Sequence, residues 1–206
     1  MAHSDRSLLV FCKQASPGRV KTRLAVDIGV DEAAAVATEL AVRRIEQCVR
    51  SGATVDVWQS PTIDDAFACP GVREVKLQCD GDLGQRMSHA IETSLAMSSM
   101  VVLIGTDCPG IDVRYLTRAF DELSDHDVVI GPAEDGGFGL IGFRREPGPL
   151  FAEVVWSTPQ VYQTMSERLD ASSMSWSRLP LLWDVDRPND LARYRLVYPP
   201  SHGRVI

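Results

Sequence analysis

The chain lacks an apolar run of membrane length. Its longest stretches, such as Val101-Val102-Leu103-Ile104, are strand-sized, far short of the ~20 residues a spanning helix needs, so no membrane span is expected. Histidine is scarce, with four residues, and the five cysteines (Cys12, Cys48, Cys69, Cys79, Cys108) show no C-x-x-C spacing. That excludes a Cys/His zinc signature and leaves reduced thiols in a cytoplasmic protein as the simplest reading. Cations are outnumbered, 21 Lys and Arg against 28 Asp and Glu, for a net charge of −7. Such a balance is wrong for coating a nucleic acid polymer, which needs a surplus of positive side chains. Met1 to Ser7 is polar and Leu8 to Phe11 is too short for a secretory core, so no export signal is expected. Internal repeats, low-complexity tracts and convincing linkers are also missing.

What is present is the balance of a soluble globular protein: 206 residues, 45% hydrophobic and 24% charged. One domain over 1–206 is expected, long enough to bury a core without staples. Leu8 to Cys12 reads as a buried strand, and Pro17-Gly18 marks a turn in the loop after it. A helix capped by Asp31 follows, with Ala33, Val36, Ala37, Leu40, Ala41, Ile45 and Cys48 on one stripe and Gly52 at its end. Val55 to Trp58 and Val72 to Leu77 suit strands; Leu83, Met87, Ala90, Ile91 and Leu95 form a second helical stripe. Met100 to Ile104 has the near-continuous apolarity of a strand covered on both faces. Beyond it come a helix through Leu116, Ala119, Phe120 and Leu123, strands at Val128 to Ile130 and Phe138 to Phe143, and helices around Leu150 to Val155 and Pro159 to Leu169. A polar surface loop at Asp170 to Ser177, a strand near Leu179 to Leu182, a helix from Pro188 and a frayed end from Tyr198 complete the pattern. Strands alternating with helices predict an α/β fold with a mostly parallel sheet in three layers.

Ligands bind such sheets beyond the carboxyl ends of the strands, and the unusual residues follow the strands. After the first lies Pro17-Gly18-Arg19-Val20-Lys21-Thr22-Arg23, with three cations within five residues of an acidic chain. Backbone donors beside a glycine, forked guanidinium groups and a lysine point charge are what a polyphosphate requires. A solvated basic turn is the plainer alternative. No glycine precedes Lys21, so the P-loop pattern G-x-x-x-x-G-K-S/T is not met. Gly105-Thr106-Asp107-Cys108-Pro109-Gly110 closes the most hydrophobic strand. Asp107 there can anchor a hard cation such as Mg²⁺, which takes one or two carboxylates plus phosphates and water, or it can simply cap the turn; Cys108 suits a packed thiol. In Trp183-Asp184-Val185-Asp186-Arg187-Pro188-Asn189-Asp190, alternation puts Asp184 and Asp186 on one side, either able to supply a second carboxylate, while Asp190 suits the helix start.

Gly131-Pro132-Ala133-Glu134-Asp135-Gly136-Gly137-Phe138-Gly139 leads into a strand, so it is not a dinucleotide loop; it fits a tight turn or a substrate loop equally, with Asp135 available to a ligand. Asp82, in Gly81-Asp82-Leu83-Gly84, marks a helix start that either meets a nucleoside or is merely capped. Trp156-Ser157-Thr158 can face an acceptor, although a tryptophan there also suits the core. His89 and His126 have no nucleophile elbow or zinc spacing around them.

In order, Phe11 to Leu24, Gly81 to Met87, Gly105 to Gly110, Gly131 to Phe138, Trp156 to Thr158 and Asp184 to Asp186 resemble a bacterial family of GT-A-like glycosyltransferases over nearly the whole chain. Its members are called nucleotide-diphospho-sugar transferases or radical-SAM/selenodomain-associated transferases, some of them placed in arsenosugar biosynthesis. More distantly the order is similar to the nucleotidyltransferases that act on phospholactate (guanylyl transfer) and molybdopterin. The resemblance implies a Rossmann-like GT-A fold and a metal-dependent transferase. Its partners would be a nucleotide sugar, or a nucleoside triphosphate in the nucleotidyltransferase alternative, and a small-molecule acceptor; a non-catalytic nucleotide binder is the other alternative. Carried over, Lys13, Arg19, Lys21 and Arg23 become phosphate contacts, and Asp107 with Asp186 becomes the ligand pair for Mg²⁺ or Mn²⁺; Gly18 and Asp82, read from their own motifs, are expected to join the nucleotide and phosphate contacts. Lys21, Asp107 and Asp135 are the expected catalytic set, Asp135 orienting the acceptor or acting as general base, with Gly136, Gly137, Trp156 and Ser157 expected on the acceptor side. Phe138 stands where many members have Tyr.

Overall fold

The apolar run beginning at Leu8 forms the middle of strand β1 (Arg6–Lys13), buried along all but its two ends. The computed structural model describes residues 5–64 and 67–199, so the expectations for residues 1–4 and for the end of the chain beyond 199 lie outside the described residues. Side chains alternate across β1: Leu8, Val10 and Cys12 join one core cluster and Leu9 and Phe11 the other. A strand buried on both faces lies at the middle of a three-layer fold.

The sheet has seven strands in the order β3-β2-β1-β4-β6-β5-β7. Besides β1 these are β2 (Thr54–Ser60), β3 (Val72–Leu77), β4 (Met100–Ile104), β5 (Val128–Pro132), β6 (Phe138–Phe143) and β7 (Trp176–Arg178). All neighbours pair in parallel except β6, which runs antiparallel to β4 and β5. The expected mostly parallel α/β sheet is therefore what forms. One face carries α2 (Val30–Arg50) and α4 (Val113–Asp125), whose stripe Leu116, Ala119, Phe120 and Leu123 is buried as the spacing predicts. The other carries α3 (Leu83–Leu95, with its stripe Met87, Ala90 and Ile91), a single 3-10 turn at Gly148–Phe151, and α5 (Val161–Asp170).

 Helix α3 thus runs Leu83–Leu95, as its stripe predicts. A third, smaller cluster of Leu24, Val36, Leu40, Val185 and Tyr194 lies where α2 meets α1 (Thr22–Ile28), α6 (Pro188–Val197) and the segment before α6.

The structure departs from the sequence-based expectations at five places. Helix α1 is additional: only Leu24 of its seven residues is buried, too little for a visible stripe. The N-cap of α2 is Gly29 rather than Asp31, which lies in the first turn, where its charge faces the positive helix end. The helix expected around Leu150 to Val155 is only the short 3-10 turn. Strand β7 falls inside the polar stretch expected to be a surface loop, because an edge strand needs little apolar surface. Ser177 hydrogen-bonds Glu122 (2.7 Å) and the indole of Trp176 hydrogen-bonds Asp170 (2.9 Å). The expected strand at Leu179 to Leu182 runs on beside β5 with only one bridge, Ala133 to Leu182.

Candidate active site

From β1 the chain connects outward to β2 and β3, whereas from β4 the sheet continues the other way, so the order reverses between β1 and β4. Loops leaving the carboxyl ends of two such strands diverge and open a crevice, the usual ligand position in α/β sheets. The loop after β1 and the loop after β4 meet there. In the first, Pro17 and Gly18 are the central residues of a turn closed by Arg19 N–H to Ser16 O (3.0 Å), and Gly18 takes the positive φ of 76° that such a turn requires. Lys21 then caps α1 in the left-handed region, at φ 47° and ψ 41°. A non-glycine residue in that region costs about 1–2 kcal/mol, offset here by the position it gives the side chain. The ammonium donates to Asp107 Oδ1 (2.5 Å) and to Val185 O (2.6 Å), with the Lys21 side chain only 6% exposed.

Asp107 leaves β4 and is fixed at its backbone as well, since its carbonyl accepts from Val185 N–H (3.0 Å). Val185 is fully buried in the third cluster, and this anchors the two acids that flank it. Asp186 pairs with Arg23 (2.7 Å), and the carboxylate of Asp190 accepts from the N–H groups of Asp186 and Arg187 at the start of α6, the capping role expected of it. Asp184 is half-buried. Burial first, and then the neighbouring Asp135 and Asp186, push its carboxyl up to about 6. Arg23 lies within the field of Asp184 and Asp135 besides its partner Asp186, all of which favour its charged form. Lys21, Arg23, Asp107, Asp135, Asp184 and Asp186 therefore share one neighbourhood, brought together from four separate stretches.

The remaining sequence candidates divide. Lys13 and Arg19 are exposed, and neither makes an ion pair or side-chain hydrogen bond among the described residues. Asp135 accepts from Gly137 N–H (2.9 Å) within its own turn. Gly136 has φ 86°, a side chain there would strike the Pro159 carbonyl, and its own carbonyl accepts from Tyr162 N–H (2.8 Å), so this turn seats against the start of α5. Asp82 forms a capping box with Gln85 (both bonds 2.9 Å); among the described residues no hydrogen bond or ion pair joins it to the acidic and basic cluster. Trp156 packs with Phe138 and Phe151, ring centroids 6.4 and 6.1 Å away, and its indole N–H is buried without a partner. Ser157 beside it takes φ 63°. Cys108 is a packed thiol that burial pushes up to about 12.

Sequence reasoning missed Arg44. It sits on the apolar stripe of α2 between Leu40 and Cys48, is buried, and donates from its two terminal nitrogens to the carbonyls of Cys108 and Ile111. A cation at the i, i+4, i+8 spacing of an otherwise apolar face was the available signal.

Among the described residues, no three His, Cys, Asp or Glu side chains form a ready-made metal cage. The acids of the crevice offer hard oxygen donors, and two already draw cationic side chains. This set suits Mg²⁺ or Mn²⁺ in the mode that uses one or two carboxylates and completes the shell with substrate phosphates and water.

A search of curated proteins finds no match. Among solved structures, a protein from Desulfovibrio desulfuricans G20, provisionally described as a nucleotide-diphospho-sugar transferase, is 31% identical, with a TM-score of 0.87 over 96% of this chain and 90% of that one. A CMP:2-keto-3-deoxy-manno-octonic acid synthetase complexed with CTP shares the fold at 12% identity and a TM-score of 0.60, over 93% of this chain and 97% of that one. So does Rv0371C of Mycobacterium tuberculosis H37Rv in complex with manganese, at 16% identity and a TM-score of 0.55, over 94% and 98%. Residues 45–158 match the family described as uncharacterized protein conserved in bacteria (DUF2064), and the chain belongs to that family.

Proposed function

We propose that the chain is a metal-dependent transferase that takes a nucleotide-activated donor, a nucleotide sugar, and passes the sugar to a small-molecule acceptor in the crevice between β1 and β4. The observation that carries this reading is the pairing of Lys21 with Asp107 and of Arg23 with Asp186 at the point where the sheet order reverses. The 31% identical protein described as a nucleotide-diphospho-sugar transferase supports it.

In this reading the diphosphate lies over the Gly18 turn. Lys21 has a third N–H beyond those given to Asp107 and Val185, and Arg19 and Lys13 carry no other ion pair among the described residues. These groups, with Arg23, face negative charge that grows on the diphosphate as its bond to the sugar breaks, and they are already in position when it does. Asp107 and Asp186 would hold Mg²⁺ or Mn²⁺, which neutralises phosphate charge when bound. Asp135 orients the acceptor and takes its proton. The Gly136-Gly137 turn and the Trp156-Ser157 segment form the acceptor side. Asp82 remains a helix cap whose free carboxylate oxygen is available to a nucleoside.

Nucleotidyl transfer from a nucleoside triphosphate to a phosphorylated acceptor is the second reading. It is favoured by the two unpaired cations, Lys13 and Arg19, which add positive charge beyond the ion-paired Lys21 and Arg23 and suit a longer phosphate chain. One assay separates the two: the purified protein is incubated with Mn²⁺, nucleotide sugars or nucleoside triphosphates, and a mixture of small acceptors. Release of a nucleoside diphosphate supports sugar transfer, and release of pyrophosphate supports the second reading. Asp107→Ala is expected to lower either activity about 100-fold or more, in the range lost when a charge-stabilising group is removed; unchanged turnover in that variant would remove the assignment.

A further inference from the structure

Among the described lysines and arginines, Arg44 is the buried one, at 3% exposure. Among the described residues no aspartate or glutamate pairs with it, and the titratable groups that bear on it are the thiols of Cys48 and Cys108, the Tyr198 phenol and the like-charged Arg43. Its Nε is buried without a hydrogen bond. A buried cation without a counter-charge costs stability relative to an apolar side chain of similar size, so packing alone does not account for an arginine here. The adjoining cavity measures about 20 Å³, room for a single water molecule, and both terminal nitrogens of the guanidinium are already given to main-chain carbonyls. Its contacts are with the loop that carries Asp107. One terminal nitrogen holds the carbonyl of Cys108, the next residue, and the other holds that of Ile111, where the loop turns into α4. From the opposite side Val185 N–H holds the Asp107 carbonyl.

We propose that Arg44 is a positioning residue for Asp107: clamped beneath the loop, it fixes the two carbonyls so that the carboxylate stays aimed at Lys21 and at the phosphate-bound cation. This rests on the role proposed above for Asp107. Lysine at position 44 carries its donors on a single nitrogen and lacks the planar fork whose two terminal nitrogens each take one carbonyl, so it restores the clamp only in part.

The test compares Arg44→Met, Arg44→Lys and Asp107→Ala with the unaltered protein, at a temperature where circular dichroism shows each folded. Arg44→Lys carries the test alone if the methionine variant does not fold. Two readouts are taken: alkylation rates of Cys108 and Cys12, both buried thiols, and Mn²⁺ affinity in the presence of inorganic pyrophosphate, followed by the EPR signal of free Mn²⁺. The expected result is Cys108 alkylation at least 10-fold faster with Cys12 unchanged, and affinity at least 10-fold weaker, with Arg44→Lys between Arg44→Met and the unaltered protein when both fold. General loosening would expose both thiols together and leave the folded protein's affinity intact; that outcome, or an unchanged Cys108, overturns the proposal. Unaltered affinity in the Arg44 variants beside a loss in Asp107→Ala overturns it while the proposed function stands. Unaltered affinity in Asp107→Ala removes the proposed function and this inference together.

Discussion

Lys21 combines a strained backbone with a committed side chain, and substitution can separate the two. Lys21→Gly relieves the left-handed geometry while deleting the ammonium that joins Asp107 to Val185. The variant should melt within a few degrees of the unaltered protein by calorimetry yet lose the stabilisation that Mn²⁺ and a nucleotide confer; retention of that stabilisation would show the ammonium to be dispensable. The thiols make a second residue-scale case. Burial pushes Cys12, Cys48 and Cys108 up to about 12, whereas Cys69 and Cys79 are part-exposed. Because the thiolate is the reactive form, iodoacetamide at pH 8 should modify Cys69 and Cys79 in the folded protein and reach the other three only after unfolding, as peptide mapping would reveal.

At the scale of elements, the short strand β7 depends on a side chain outside its ladder. Asp127, just before β5, accepts from Ser175 N–H (3.0 Å) and its hydroxyl (3.1 Å) just before β7. The Ser175 backbone bond is the main cause holding the Asp127 carboxyl below its usual range. A depressed carboxylate stabilises the fold above its unfolded pKa, and the contribution disappears as pH falls through the folded one. Asp127→Ala should therefore cost about 1 kcal/mol near neutrality, with the gap narrowing as denaturation curves are taken below pH 4. The same strand shows why some elements were unreadable beforehand. Strands β1, β4 and β6 and helices α3 and α4 are legible because each buries a stripe or run long enough to show a period. Helix α1 buries one leucine and β7 pairs over three residues, so tertiary contacts decide them. In the crevice, positive charge out of keeping with an acidic chain exposes Lys21 and Arg23, and place after a strand and alternation expose Asp107 and Asp186, whereas Arg44 is hidden because an arginine inside an apolar stripe reads as an interruption.

Over the whole molecule, burial is concentrated in the middle of the sheet. The interior residues of β1 and β4 are covered on both faces, while β3 and β7 are partly exposed edges. Amide exchange should accordingly be slowest in β1 and β4 and fastest in β3 and β7; equal protection across the sheet would contradict this order. A nucleotide sugar with Mn²⁺ at about 100 times its dissociation constant should add about 2.7 kcal/mol to unfolding, about 5–10 °C in Tm for a chain of this size. The small cluster of Leu24, Val36, Leu40, Val185 and Tyr194 has its own implication for biosynthesis. It unites elements from both ends of the polypeptide, with Tyr194 and Arg195 of α6 bound to Glu39 of α2 (2.8 and 2.6 Å). A nascent chain still in the ribosome can build β1 to β6 before α6 emerges, but the crevice stays unfinished until synthesis has passed Val197, so premature termination leaves a sheet without the packing that seats Val185 and its flanking acids.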